Sequence, residues 1–231
     1  IYDANDGFPG YLLINEGTGQ LTDITIQAGL SAKRHRRSYS ASFADIDNDL
    51  DLDLTVVSDF AGVDLFLNAG SGKFTDATTR LVRNRFGFGM AHNFADYNAD
   101  GKMDLLMIGM NSWTAERMAS MNLSAPTHKH YTERLADITC GNRLYFGDGK
   151  KFVQRQMGDR TANTGWSWGA TSFDVDNDGD TDLFIANGAT LESPDEGPGC
   201  RLFRNDSHDG RIRFTDVTSP AGIALKRWAM G

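Results

Sequence analysis

The sequence predicts an all-β chain, a β-propeller of four-stranded antiparallel blades, and three observations carry that reading. Aspartate-rich windows of nine residues recur at 45–53, 96–104 and 174–182. Each is preceded by a strand of small and aromatic residues and followed by a strand of apolar ones. A second strand–turn–strand phrase then recurs downstream. Four-stranded units repeating at ~40–60 residues mark propeller blades, because each small sheet can bury its faces only against its neighbours.

The elements follow in chain order. Y-L-L-I-N-E-G-T-G-Q-L-T-D-I-T (11–25) reads as a strand, a Gly/Asn turn and a strand, and Ile1-Tyr2 matches the strand that follows a window, so 1–30 is a partial unit. The unit 38–81 runs S-Y-S-A-S-F-A (38–44), window, L-T-V-V (54–57), then D-L-F-L-N-A-G-S-G-K-F-T-D-A-T (64–78). The unit 87–155 runs G-F-G-M-A-H-N-F-A (87–95), window, L-L-M-I (105–108), then R-L-Y-F-G-D-G-K-K-F (143–152). Its insertion at 111–139 has helical propensity over Thr114–Asn122 and breaks at Pro126. The unit 165–223 runs G-W-S-W-G-A-T-S-F (165–173), window, L-F-I-A (183–186), then R-L-F-R-N-D-S-H-D-G-R-I-R-F-T-D-V-T (201–218). Arg227–Gly231 matches the strand that precedes a window, making 224–231 a second partial unit. Three full blades with partial blades at both ends are expected, and 1–231 reads as part of one propeller domain belonging to a longer ring. A four-bladed ring closed by joining the two ends is the alternative, with one blade lacking its window.

Charge is concentrated in the windows. The 231 residues carry a net charge of −8, of which the windows hold −12, leaving +4 elsewhere. Such clustering is costly unless a cation neutralises it. The windows share Asp or Asn at positions 1, 3, 5 and 9, so alternate side chains converge while position 7 offers its backbone carbonyl. Hard oxygen donors in a flexible anionic loop favour Ca²⁺. The expected ligands are Asp45, Asp47, Asp49, Asp51 (carbonyl) and Asp53; Asp96, Asn98, Asp100, Lys102 (carbonyl) and Asp104; and Asp174, Asp176, Asp178, Asp180 (carbonyl) and Asp182. Up to three Ca²⁺ ions are therefore expected, one per window. Position 12 is Val56, Met107 or Ile185 rather than the Glu of an EF-hand. The sharp turn at position 6 suits Gly101 and Gly179 but not Leu50, so the first loop is expected to bind more weakly or to turn differently. Against all this stands the plain alternative of Asp-rich turns solvating hairpin tips.

These D-x-D-x-D-G-x-x-D windows, preceded by G-F-G-M-A or G-W-S-W-G-A and followed by L-F-R-N and F-T-D-V-T-S-P-A-G-I, resemble the FG-GAP/VCBS repeats of integrin-alpha-like β-propellers. The phrase A-N-D-G-F-P-G-Y-L-L-I-N-E-G-T-G-Q-L-T-D-I-T-I-Q-A-G-L is similar to the cartilage-acidic-protein-like group, whose members often end in an ASPIC/UnbV region. No such tail is recognisable here, and Leu50 departs from the motif. The resemblance implies an extracellular, cell-surface or periplasmic, Ca²⁺-binding propeller used in adhesion, scaffolding or ligand binding. A protein or glycan ligand, and a place in a larger surface assembly, are implied with it. The alternative is a catalytic propeller, a polysaccharide lyase or hydrolase, which needs a base and a charge stabiliser in one cleft.

The remaining features bound the choice. No apolar run approaches the ~18 residues of a membrane span. Nucleic acid is disfavoured, since the chain is acidic and carries no nucleic-acid-binding motif. The basic run Lys33-Arg34-His35-Arg36-Arg37 either meets an acidic ligand or balances nearby carboxylates in an inter-blade loop. Cys140 and Cys200 precede equivalent strands and are either bridged or separately packed. His128-x-His130 offers two ligands without a third, and His35, His92 and His208 lack triad context. Asn122 and Asn205 head glycosylation sequons. Trp166 and Trp168 read as inner-strand packing rather than sugar platforms.

Overall fold

A computed structural model describes residues 7–111, 139–188, 199–208 and 210–223. Among the described residues, fourteen strands form three four-stranded antiparallel sheets and one two-stranded sheet. The pair is β1 (Leu13–Asn15) and β2 (Leu21–Asp23). The first full sheet is β3 (Ser38–Ala44), β4 (Asp53–Ser58), β5 (Gly62–Asn68) and β6 (Phe74–Asp76). The next is β7 (Gly89–Ala95), β8 (Asp104–Gly109), β9 (Arg143–Gly147) and β10 (Phe152–Arg155). The last is β11 (Ser167–Phe173), β12 (Asp182–Asn187), β13 (Arg201–Asn205) and β14 (Phe214–Asp216). Each sheet is a meander in sequence order, which is the blade of a β-propeller. Short helices α1 (Thr78–Leu81) and α2 (Asp159–Ala162) lead out of the second and third sheets. The expected helical insertion and the C-terminal strand-like stretch at 224–231 lie outside the described residues, as do Asn122, His128 and His130.

Alternation along the strands explains why the blades stack. On β8, Leu105 and Met107 pack with Val57, Val63, Leu65 and Tyr145, toward the preceding blade. Leu106 and Ile108, on the opposite face, pack with Leu183, Ile185 and Phe203 of the following one. All four β8 residues are fully buried, as expected of a strand covered on both faces. The half-blade contributes a third cluster, in which Ala28 and Leu30 meet Leu54, Phe66 and Phe74.

The innermost strands touch through polar groups instead. Ser40 Oγ and Ser42 Oγ of β3 lie 3.0 and 2.6 Å from Nδ1 and Nε2 of His92 on β7. One residue along, the Asn93 side-chain amide turns to β11 and donates to the Ala170 carbonyl at 2.9 Å. Each innermost strand carries a register irregularity near its start, at 38–40, 89–91 and 167–169. Tyr39 and Trp168, which sit within two of these irregularities, are in edge contact, with ring centroids 6.5 Å apart.

Blade joints depend on close backbone approach. Gly62 has φ 67°, and a Cβ there would lie 1.7 Å from the Arg85 carbonyl oxygen that Val63 N–H uses at 3.0 Å.

Candidate metal centres

Each window forms the turn between the first two strands of a blade, and one aspartate shapes it. Asp45 Oδ1 and Oδ2 accept the Asp49 and Leu50 N–H groups, both at 3.1 Å. Asp96 does the same for Asp100 and Gly101, at 3.1 and 2.7 Å. Asp174 repeats it for Asp178 and Gly179, at 3.2 and 3.1 Å. The three loops therefore share one backbone course. The expectation that Leu50 makes the first loop turn differently is corrected here: Leu50 sits at φ 75°, beside φ 78° for Gly101 and 95° for Gly179. Its side chain is 91% exposed, so the cost is confined to the left-handed backbone.

Positions 1, 3 and 5 converge. One carboxylate oxygen from each of Asp45, Asp47 and Asp49 lies within 4.8 Å of the others, and Asp174, Asp176 and Asp178 form the same group. In the middle window Asn98 replaces the central aspartate, and its Nδ2 donates to Asp100 Oδ2 at 3.2 Å. Asp47 Oδ1 is buried without a hydrogen-bond partner, an arrangement that a directly bound cation satisfies. The donor set of clustered carboxylate oxygens in a tight loop fits Ca²⁺.

Electrostatics point the same way. Desolvation, with the carboxylates of Asp53, Asp49 and Asp45, holds Asp47 above the usual carboxylate range. Asp176 and Asp180 are pushed up by desolvation and by Asp178 and Asp182. Burial raises Asp104 to about 6, against the opposing effect of its two backbone hydrogen bonds.

Position 9 has a role that ligand counting missed. Asp53, Asp104 and Asp182 are fully buried. One oxygen of each accepts the N–H of window position 2, from Ile46, Tyr97 and Val175 at 2.9, 3.0 and 2.7 Å. The other accepts the N–H at the end of the third strand, from Asn68, Gly147 and Asn205 at 2.8, 2.9 and 2.7 Å. The same aspartate thus pins the window to the neighbouring hairpin. Sequence spacing showed its recurrence but not its two backbone donors, which come from residues up to 43 positions away.

A further repeated device lies at the opposite edge of the blades. In T-D-x-T, Asp23, Asp76 and Asp216 accept both the backbone N–H and the hydroxyl of Thr25, Thr78 and Thr218. The threonine hydroxyl oxygen in turn accepts the N–H of Leu12, Leu65 or Leu202 at 2.8–3.0 Å. This device ties the last strand of each of these sheets to the strand before it.

The basic run turns largely inward. Lys33 Nζ bridges Asp64 at 2.6 Å and Asp76 at 2.7 Å. Arg85 reaches Asp64 at 2.9 Å, and Arg36 Nε approaches Asp64 Oδ2 at 2.9 Å as a charge contact without hydrogen-bond alignment. Arg34 and Arg37 lie over the rings of Tyr11 and Phe60. Of the two readings of this run, the loop that balances nearby carboxylates is the one Lys33 and Arg36 follow. Cys140 and Cys200 are not bridged to one another, the first being exposed and the second buried. The Asn205 sequon is corrected: its side-chain amide is buried and donates to the Tyr97 and Thr181 carbonyls, so no glycan can reach it.

Among the described residues, no helix is long and apolar enough to cross a membrane. No curated protein matches the sequence. Residues 45–107, from the first window through the second and into β8, match the family model of the FG-GAP-like repeat, which supports the FG-GAP family for the repeat that builds these blades.

Proposed function

We propose that this chain is part of a calcium-stabilised, extracytoplasmic β-propeller that binds a protein or glycan ligand in adhesion or scaffolding. The observation that carries it is the convergence of the position 1, 3 and 5 carboxylates, with the buried Asp47 Oδ1 left without a partner. Asp45, Asp47, Asp49, Asp53 and the Asp51 carbonyl would hold one ion. Asp96, Asn98, Asp100, Asp104 and the Lys102 carbonyl would hold a second. Asp174, Asp176, Asp178, Asp182 and the Asp180 carbonyl would hold a third. Calcium supplies charge neutralisation at these turns, while the position 1 and position 9 aspartates set the loop by their own hydrogen bonds.

The FG-GAP match supports placement outside the cytoplasm, as do oxygen-ligand loops of a kind that calcium fills at extracellular concentrations. The likeness of residues 4–30 to the cartilage-acidic-protein-like group, and a single propeller domain spanning 1–231, belong to the same proposal. A lyase or hydrolase needs a base in a cleft, whereas the buried His92 is committed to two serine hydroxyls.

The test is retention of the calcium-loaded protein on immobilised extracellular glycans and proteins, against the same protein in EDTA. Calcium-dependent retention supports the reading. Equal retention in both conditions, or turnover of uronic-acid polymers, overturns it.

A further inference from the structure

The edge of the last blade opposite its metal window holds a cavity of about 220 Å³ lined by Arg160, Asn163, Thr164, Arg201 and Asp216. Arg201 opens β13 and Asp216 closes β14, while the other three belong to α2 and the loop that leads into β11. Its groups are unequally satisfied. Thr164 Oγ1 is engaged by Asn142 at 2.8 Å and by Ser167 at 2.6 Å. Asp216 is occupied by the backbone N–H and hydroxyl of Thr218, and meets Arg201 NH1 at 3.3 Å. Among the described residues the rest of the Arg201 guanidinium, the exposed Arg160 guanidinium and the Asn163 amide have no acceptor. Two cations with spare donors, Arg201 held by Asp216 and Arg160 exposed, thus line the cavity with one already occupied carboxylate.

The first full blade shows what this station accepts. Leu65 and Leu202 make the same bond to the threonine of T-D-x-T, so the residues before them, Asp64 and Arg201, are structural equivalents. In that blade the chain supplies its own buried carboxylate, Asp64, and surrounds it with Lys33, Arg36 and Arg85. In the last blade the charge at the station is reversed, and among the described residues the one carboxylate lining the cavity, Asp216, is already engaged by Thr218 and Arg201.

We propose that the cavity bounded by Arg160, Asn163 and Arg201 binds the oxyanion of an acidic glycan, a sulfate ester or a uronate carboxylate. Guanidinium groups suit either anion, because their N–H forks match paired oxygens. The inference rests on the ligand-binding reading above but not on the calcium windows, which lie at the other end of the strands.

The experiment is a titration of the calcium-loaded protein with sodium sulfate, and separately with sodium glucuronate, at constant ionic strength against chloride, followed by backbone amide shifts. The expected result is saturable shifts confined to Asn163, Thr164 and Arg201 with at least one of the two anions, weakened at least fivefold in Arg160→Gln. Among the described residues the Arg160 side chain has no partner, so that variant keeps the test independent of stability, while Arg201→Gln abolishes the shifts. Which anion saturates identifies the source, sulfate ester or uronate. Unsaturable shifts with both anions, shifts spread over the surface, or equal affinity in Arg160→Gln overturn the proposal. Calcium-dependent melting is unaffected by that outcome, so a failure here is separable from a failure of the calcium reading.

Discussion

Asp182 Oδ1 accepts the Asn205 backbone N–H at 2.7 Å, fastening a metal-window turn to the end of the third strand of its blade. Its other oxygen takes Val175 N–H at 2.7 Å. One buried and one part-buried donor hang on this carboxylate. Asp182→Ala is expected to cost roughly 2–5 kcal/mol, the desolvation penalty of two orphaned N–H groups. Chemical denaturation checks this in EDTA, where a residue that acted only as a metal ligand would show no loss.

Leu50 pays for its left-handed backbone without any packing return. Leu50→Gly is expected to stabilise the protein by roughly 0.5–1 kcal/mol, the relieved αL strain less the entropy of an added glycine. The mirror substitution, Gly101→Ala, should destabilise by a similar amount. Paired melting curves decide it, and a destabilising Leu50→Gly would mean that the turn is not strained.

Asp64 is the counter-charge for Lys33, Arg36 and Arg85 in a buried setting. Asp64→Asn removes the carboxylate that these three cations share, with Asp76 still paired to Lys33, and is expected to cost about 3–5 kcal/mol, as for a broken buried ion pair. Denaturant midpoints measure it. A loss below about 1 kcal/mol would place the cations on the surface, free to bind ligand.

Burial lowers His92 to about 4, from an ordinary value of 6.5. Between those values the unfolded chain takes up a proton that the folded chain refuses. Its contribution is therefore fully present above pH 6.5 and falls as pH drops toward 4, by about 3 kcal/mol over the whole window. His92→Gln should flatten that part of the stability profile. Denaturation at pH 7.5 and pH 4.5 for both proteins gives the difference directly.

Much of this was legible because the repeat is periodic. The strand pairs around each window fall where the small-residue and apolar runs placed them: β3 coincides with 38–44, and β7 and β11 begin two residues inside their runs. What stayed hidden was long-range and polar. Nothing local in H-R-R (35–37) says that Arg36 turns onto Asp64, and nothing local in K-M-D (102–104) says that Asp104 collects Gly147 N–H from across an insertion. Leu50 misled because residue preference was taken as a limit on backbone geometry, whereas two hydrogen bonds to Asp45 hold the turn regardless.

The central test is thermal melting of the protein in saturating calcium and in EDTA, repeated with Asp47→Asn and Asp176→Asn. A site filled to a hundred times its dissociation constant adds about 2.7 kcal/mol. Emptying three such sites should lower the melting temperature by roughly 15 °C or more, and each variant should lose about a third of that shift. Identical melting in calcium and EDTA would contradict calcium as the ion that these windows hold.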